Sequence, residues 1–241
     1  MRAVLCILLS ALLSITALAF TACSPAPSGD EFFPLAKGHR WDYAVTMTRE
    51  DPALPPLRET LTLHSRGREN IDGTPAWRRR SESGTDYWLR SDETGIYRVA
   101  SKTDIEYDPH LDNPHRYVLR TPIAVGTQWE ATTTLYVLQR RNEFPQTQYA
   151  RHKLVPMVYR IEALGEKIAT PAGKFEGCVH VIGRATIRIF VDSMGGWRDG
   201  PLTTREWYCP GVGLARLQRE EPSASKLLSG GAMTMDLVAY R

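Results

Sequence analysis

The chain has 241 residues, of which 42% are hydrophobic, and a formal net charge of +3 at pH 7. This charge balance argues against a nucleic-acid-binding protein and against electrostatic capture of an anionic membrane surface. The length allows one substantial hydrophobic core or two small ones.

The N-terminal segment has the order of features found in a secretory signal peptide. Met1 and Arg2 supply a positive charge, and an apolar stretch follows from Ala3 to Phe20. A transmembrane anchor is the alternative, because about 20 apolar residues can span a bilayer. Serines inside the stretch and small residues after it favour cleavage. We therefore predict a signal peptide over residues 1–22.

Two kinds of cleavage site end this segment. Ala17-Leu18-Ala19 is an ordinary A-x-A site, whereas Phe20-Thr21-Ala22-Cys23 resembles the bacterial lipobox, in which the cysteine is lipidated and becomes the new N-terminus. The several acyl chains of such a lipoprotein hold it stably at a membrane. Ser24, rather than Asp, follows the cysteine, which by resemblance to sorted lipoproteins indicates the outer membrane, facing the periplasm. We predict a lipidated Cys23 and a flexible spacer over 23–31.

The cysteine count supports this prediction. Beyond the signal segment the chain contains Cys23, Cys178 and Cys209, and an odd thiol in an oxidising compartment needs an explanation. If Cys23 carries lipid, Cys178 and Cys209 can form a disulfide, which export permits. Two separate buried thiols are the alternative. The chain has no C-x-x-C motif, so redox catalysis is not expected.

Alternation of apolar and polar residues dominates the rest of the chain. Residues 41–47, 57–64, 129–137 and 185–191 alternate with period two, as strands with one buried face do. Glycine-containing turn signals separate such stretches, and no sustained helical period follows the signal segment. We predict a mainly β protein with little helix, folded as an antiparallel curved sheet or incomplete barrel in a single domain over 32–241.

Two parts of the sequence occur twice. PLAKGHRWDY at 34–43 returns as PIAVGTQWEA at 122–131, with Pro, Ala, Gly and Trp in register. A Trp strand, a Gly turn and a return strand also recur, as DYWLRSDETGIYRVA at 86–100 and REWYCPGVGLARLQ at 205–218. Pro starts each segment, Gly permits a tight bend and Trp fills the core.

Internal duplication explains this repetition. We predict two β-meander halves, about 32–115 and 116–241, connected by the Asp-, Pro- and His-rich segment 101–116. The alternative is that two unrelated sites need the same turn into a strand.

Three stretches carry a resemblance to known proteins. FFPLAKGHRWDY, TPAGKFEGC and WYCPGVGL resemble the F-P-L-x-x-G-x-x-W-x-Y, T-P-A-G-x-F and Y-x-P-G-V-G-L motifs of largely uncharacterised bacterial envelope lipoproteins. The resemblance covers most of residues 32–218. A looser similarity in layout implies the open half-barrel of periplasmic lipoprotein carriers, with a concave apolar face. These motifs are structural, so they imply a fold and not a reaction.

One loop contains residue types that bind metal ions. The segment DPHLDNPH supplies Asp108, His110, Asp112 and His115, which could hold zinc or another divalent ion. Prolines restrict this loop, and its histidine spacing matches no regular ligand pattern. A solvated linker is therefore the favoured interpretation, and we predict no metal site.

A second cluster is basic. Arg78-Arg79-Arg80 places at least one guanidinium on each face of a strand beside Trp77, where it could bind an anionic headgroup or glycan. A solvated edge strand, protected from aggregation by its charges, is the favoured alternative.

The sequence contains no G-x-S-x-G, H-E-x-x-H or phosphate-binding glycine loop. We therefore expect no catalytic residues and no cofactor. The leading expectation is a membrane-anchored, non-catalytic lipoprotein that binds a partner protein or an apolar ligand, or serves as a subunit of an envelope assembly. A carrier or sensor with an apolar ligand in a half-barrel groove is the alternative, and a metal-dependent hydrolase using the Asp108–His115 loop is a further one.

Overall fold

A computed structural model describes residues 29–140, 154–190, 196–223 and 225–241. The predicted signal peptide and Cys23 lie outside the described residues. A short helix, α1 (Gly29–Phe32), precedes the strands. The strands are β1 (Arg40–Arg49), β2 (Leu57–Ile71), β3 (Thr74–Ser81), β4 (Asp86–Asp92), β5 (Gly95–Lys102), β6 (His110–Arg120), β7 (Gln128–Thr133), β8 (Gln139–Arg140), β9 (Val155–Thr170), β10 (Gly173–Phe190), β11 (Trp197–Cys209), β12 (Gly213–Glu221), β13 (Leu228–Ser229) and β14 (Gly231–Tyr240).

The main sheet consists of two antiparallel meanders placed head to tail. Its 12 strands lie in the order β6-β5-β4-β3-β2-β1-β14-β12-β11-β10-β9-β7, and β8 pairs separately with β13. The first meander contributes β1 to β6, and the second contributes the strands from β7 to β14 except the β8–β13 pair. The prediction of a mainly β, antiparallel fold with little helix is confirmed.

The sheet curves into a nearly closed, barrel-like form. The meanders join where β1 pairs with β14, from Trp41 opposite Tyr240 to Arg49 opposite Gly231. On the other side the two edge strands, β6 and β7, approach each other. Arg116 Nε on β6 donates a hydrogen bond of 2.7 Å to the carbonyl oxygen of Thr132 on β7. We call the line along which β6 and β7 meet the seam.

The repeated sequence segment, 34–43 and 122–131, has the same structural role in both meanders. Gly38 N donates to Ser65 O (3.0 Å), and Ser65 N donates to His39 O (2.8 Å). In the second meander Gly126 N donates to Ile161 O (2.9 Å), and Ile161 N donates to Thr127 O (3.0 Å). Both glycines have positive φ, 101° at Gly38 and 94° at Gly126, a conformation that favours glycine. Each repeated segment therefore forms the same bend before the first strand of its meander.

The paired tryptophans Trp88 and Trp207 also occupy equivalent places. A β-bulge follows each of them in its strand pair. The indole of Trp88 donates to Glu69 (3.4 Å), and that of Trp207 donates to Glu166 (2.7 Å). These repeated contacts show that the two meanders follow one plan.

The boundary between the meanders lies further along the chain than expected. The segment 101–116 is not a free connection, because it contains the end of β5 and the beginning of β6. Pro114 is accommodated because β6 is an edge strand, where a missing N–H donor is tolerated. The first meander therefore ends at Arg120, and the second begins with the phrase at 122–131.

The described end of the predicted spacer is attached to the sheet. Gly29–Phe32 forms α1, Phe32 is buried, and Gly211 N donates to Glu31 O (2.8 Å). At four residues this helix is far too short to cross a membrane, and the described part of the chain contains no helix with the length and hydropathy to do so.

A disulfide joins Cys178 on β10 to Cys209 at the end of β11. Both cysteines are fully buried and pack with Ile168 and Ala215. The bond fastens the second meander beside the turn that leads into β12. It thereby restricts the unfolded chain over a sequence separation of 31.

We expect replacement of this disulfide to lower the free energy of unfolding. Cys178→Ala combined with Cys209→Ala should cost roughly 3–4 kcal/mol, because the unfolded chain gains loop entropy. Urea unfolding under oxidising conditions measures the difference, and the wild type in dithiothreitol should approach the variant. A change below about 1 kcal/mol would show that the cross-link contributes little.

Candidate ligand-binding cavity

A cavity of about 300 Å³ lies inside the barrel-like sheet. Side chains from both meanders line it, since the inward positions of β1 to β7 and of β9, β11 and β12 face a common interior. The lining residues are Phe33, Tyr43, Leu63, Arg79, Tyr87, Leu89, Arg98, Arg116, Tyr117, Val118, Thr132, Thr133, Thr134, Tyr136, Leu154, Tyr159, Glu206, Tyr208, Leu214 and Leu217. Rings and aliphatic groups with a few polar groups are the usual composition of a small-molecule site.

The cavity extends to the seam. Residues 116–118 of β6 and 132–134 at the end of β7 line it, so the two edge strands form one of its walls. Within the described part of the chain, the seam lacks the strand ladder that closes the β1–β14 junction. The hydrogen bond between Arg116 and Thr132 crosses it instead. The seam is therefore the part of the described cavity wall that no strand ladder closes.

Arg79 is the buried cation of this cavity. Its guanidinium carbon lies 4.3 Å from the ring centre of Phe33 and 4.1 Å from that of Trp41, and Nη2 donates to Pro34 O at 2.8 Å. No carboxylate of the described residues forms an ion pair with it, and its buried Nε has no hydrogen-bond acceptor among them. Burial lowers the pKa of Arg79 to about 10, so the group is charged at neutral pH.

The other ionisable groups of the cavity have different environments. Arg98 forms a two-point ion pair with Asp112, with N–O distances of 2.6 and 2.8 Å. Glu206 is buried and accepts a hydrogen bond of 2.5 Å from the hydroxyl of Tyr208. Burial raises the pKa of the Glu206 carboxyl, although this hydrogen bond opposes the change. The cavity therefore has a surplus of positive charge, centred on Arg79.

Tyrosine rings form much of the wall. Tyr43 is anchored by its hydroxyl, which donates to Leu214 O at 2.9 Å. Tyr159 stacks on Trp129 with ring centres 5.7 Å apart, and burial raises the pKa of Tyr159 to about 12. Such rings provide rigid apolar surface with a polar atom at the rim.

A buried ion pair fixes the segment that follows β7. Glu221 on β12 is fully buried and accepts hydrogen bonds from the backbone N–H groups of Tyr136, Val137 and Leu138, the shortest at 2.7 Å. Arg219 donates to Glu221 at 2.6 Å and to the carbonyl oxygen of Thr134 at 2.6 Å. These bonds hold part of the cavity wall, 133–138, against β12.

The four candidate metal ligands of the Asp108–His115 loop do not converge. His110 lies 2.9 Å from Glu106, Asp112 binds Arg98, His115 stacks on Tyr97, and Asp108 is exposed in the turn before β6. The described residues contain no group of three or more His, Cys, Asp or Glu side chains that could hold a metal ion. The geometry gives no support to a metal-dependent hydrolase in this loop.

The basic cluster is divided between two environments. Arg78 and Arg80 point away from the cavity and pair with Asp86, with N–O distances of 2.7 and 2.5 Å. Arg79 points inward. The edge-strand interpretation is wrong, because β3 lies between β2 and β4. Cross-strand partners, and not solvent, neutralise the outward arginines.

Sequence reasoning missed Arg116, Glu206 and Glu221. Glu206 could have been predicted as an interior residue, because it alternates onto the same face of its strand as the apolar Leu202 and Tyr208. A charged side chain on a buried face is unusual. Glu221 gave no such signal, since its partners are backbone amides distant in sequence.

Comparison with known proteins gives two distant structural likenesses. A protein provisionally described as a lipoprotein, from Parabacteroides distasonis ATCC 8503, has 13% sequence identity and a TM-score of 0.43, covering 87% of this chain and 98% of its own. A protein provisionally described as exported, with a YmcC-like fold, from Bacteroides fragilis NCTC 9343, has the same identity and coverage and a TM-score of 0.37. No family model and no curated protein matches the chain.

We expect Glu221→Ala to destabilise the protein strongly. The substitution leaves Arg219 as an unpaired buried cation and removes the acceptor of three backbone N–H groups. The free energy of unfolding should fall by about 3–5 kcal/mol, as measured by urea unfolding. The neighbouring Glu220→Ala, which breaks only an exposed pair with Arg205, is the control and should cost less than about 1 kcal/mol. Equal effects would refute the role assigned to Glu221.

Proposed function

We propose that this chain is a lipid-anchored protein of the bacterial cell envelope, and that its β domain is a non-catalytic module that binds a small amphipathic ligand. The cavity inside the sheet carries this proposal. Its volume of about 300 Å³ is at the lower end of the range of ligand pockets, and its lining combines apolar walls with a few polar groups.

The chemistry of the lining favours binding over reaction. Tyrosine and leucine side chains supply shape and apolar surface, and the arginines supply charge. Glu206 is already engaged by Tyr208, and Arg98 by Asp112. These groups hold one another in place, which suits a preformed binding site.

The anchor is supported by the N-terminal sequence. The apolar segment and the lipobox-like Phe20-Thr21-Ala22-Cys23 favour export and lipidation, and Ser24 favours the outer membrane on its periplasmic face. A disulfide in the β domain is consistent with an oxidising compartment. The β domain then faces the periplasm at a short distance from the membrane.

A role in an envelope assembly is the second candidate function. The edge strands β6 and β7 have no ladder partner among the described strands on their outer sides. A strand of another envelope protein could pair with such an edge.

We expect Cys23→Ser to release the protein from the membrane fraction, because the acylated side chain is lost. Cys6→Ser, which changes a cysteine inside the apolar segment, is the control and should stay with the membranes. Metabolic labelling with radioactive palmitate should mark the wild type and the control only. Membrane attachment or labelling of Cys23→Ser would contradict the anchor.

We expect the Cys23→Ser chain, which needs no detergent, to bind one molecule of decanol, measured by isothermal titration calorimetry. Leu217→Trp places a larger ring at the cavity wall and should weaken this binding at least tenfold by filling the space. Leu227→Trp changes a partly exposed leucine outside the cavity lining and should leave the affinity unchanged. Absence of binding by both decanol and decanoate, or equal loss in both variants, would contradict a ligand site in the cavity.

A further inference from the structure

Arg79 and Arg116 line the cavity and have no ion pair with a described carboxylate, but their positive charges have different surroundings. Glu206 lies close enough to Arg116 for their charges to interact, although the described residues give Arg116 no direct ion pair. Among the described residues, Arg79 faces neutral tyrosines, Phe33, Trp41 and a carbonyl oxygen, and no carboxylate pairs with it. A buried charge is ordinarily paired, because removal from water is costly. Arg79 departs from this rule.

The surroundings of Arg79 keep its guanidinium in a fixed position. The rings of Phe33 and Trp41 lie on it, the carbonyl oxygen of Pro34 accepts from Nη2, and the side chain is more than nine-tenths buried. The ring of Trp41 is itself held, since its indole N–H donates to Val212 O at 2.7 Å. A cation that is fixed, desolvated and open to a cavity is organised in advance to receive an anion.

We propose that the ligand is a single-chain amphipath with one oxyanion head, a carboxylate or a phosphate, that binds Arg79. This inference rests on the proposed function. Arg116 at the seam is the second cation. A guanidinium binds both kinds of head through two parallel N–H donors. The apolar body of the ligand lies against the tyrosine and leucine walls.

The size and charge of the cavity disfavour other lipids. A volume of about 300 Å³ suits a small ligand and not a two-chain phospholipid. An uncharged chain would leave Arg79 unpaired, and a cationic head would be repelled by it. One anion, by contrast, supplies the partner that the described residues do not provide.

The test compares ligands of equal chain length by titration calorimetry on the Cys23→Ser chain, which needs no detergent to compete for the cavity. Decanoate or decyl phosphate should bind at least tenfold more tightly than decanol, and decyltrimethylammonium should bind more weakly than decanol. A preference for one oxyanion over the other identifies the head group within the proposed class.

Substitutions assign the effect to a residue. Arg79→Met keeps an apolar side chain of similar length and should remove the tenfold preference while changing decanol affinity less than about twofold. Arg116→Met should reduce the preference in part. Arg205→Met, which changes an arginine outside the cavity lining, is the matched control and should retain it fully.

The outcomes separate the two proposals. If decanol and the oxyanions bind equally, the cavity binds ligands but the anionic class is wrong. If no compound binds, the proposed function itself fails. If Arg79→Met does not fold, the affinities measured on the chain with Arg79 in place still test the inference. A preference for the oxyanions over decanol that is below threefold overturns it.

Discussion

The pairing of β1 with β14 is the constraint on which the rest of the structure depends. It joins the first strand of one meander to the last strand of the other, from Trp41–Tyr240 to Arg49–Gly231. Because the meanders are thereby linked head to tail, β6 and β7 are the two edges of the sheet, and its curvature brings them together on the opposite side. One junction is a hydrogen-bonded ladder and the other is the seam. The cavity lies in the interior between them, and it reaches the seam.

The two junctions have related sequences but different surroundings. At the closed junction Trp41 donates its indole N–H to Val212 O, whereas the buried indole N–H of Trp129, near the seam, has no acceptor among the described residues. Trp129 therefore lacks the hydrogen bond that Trp41, the equivalent residue of the first meander, makes. In place of a ladder, the described residues give the seam the hydrogen bond from Arg116 to Thr132 and the segment held by Glu221. This difference between the repeated halves leaves the wall of the cavity without a strand ladder at the seam, within the described part of the chain.

The sequence predicted the strands and the repeated plan well, because period-two alternation and Gly-Trp phrases are local signals. It also predicted the Cys178–Cys209 bond from the cysteine count. It could not place the individual arginines of Arg78-Arg79-Arg80. Their different roles depend on Asp86, on the outer face of the sheet, and on Phe33 and Trp41, on the inner side. The Asp-, Pro- and His-rich composition of 101–116 is typical of a linker, yet Pro114 lies in β6. An edge strand tolerates proline, but which strand forms the edge is decided by sheet order, a long-range property.

The central claim is that the interior of this sheet holds an anionic amphipath with its head at Arg79. A crystal structure of the Cys23→Ser chain grown with 10-bromodecanoate tests it most directly, because bromine gives an anomalous signal that locates the chain end. We expect a bromine peak among the tyrosine and leucine side chains of the cavity, with the carboxylate oxygens in hydrogen-bonding distance of the Arg79 guanidinium. An empty cavity under saturating ligand, or a carboxylate directed away from Arg79, would contradict it.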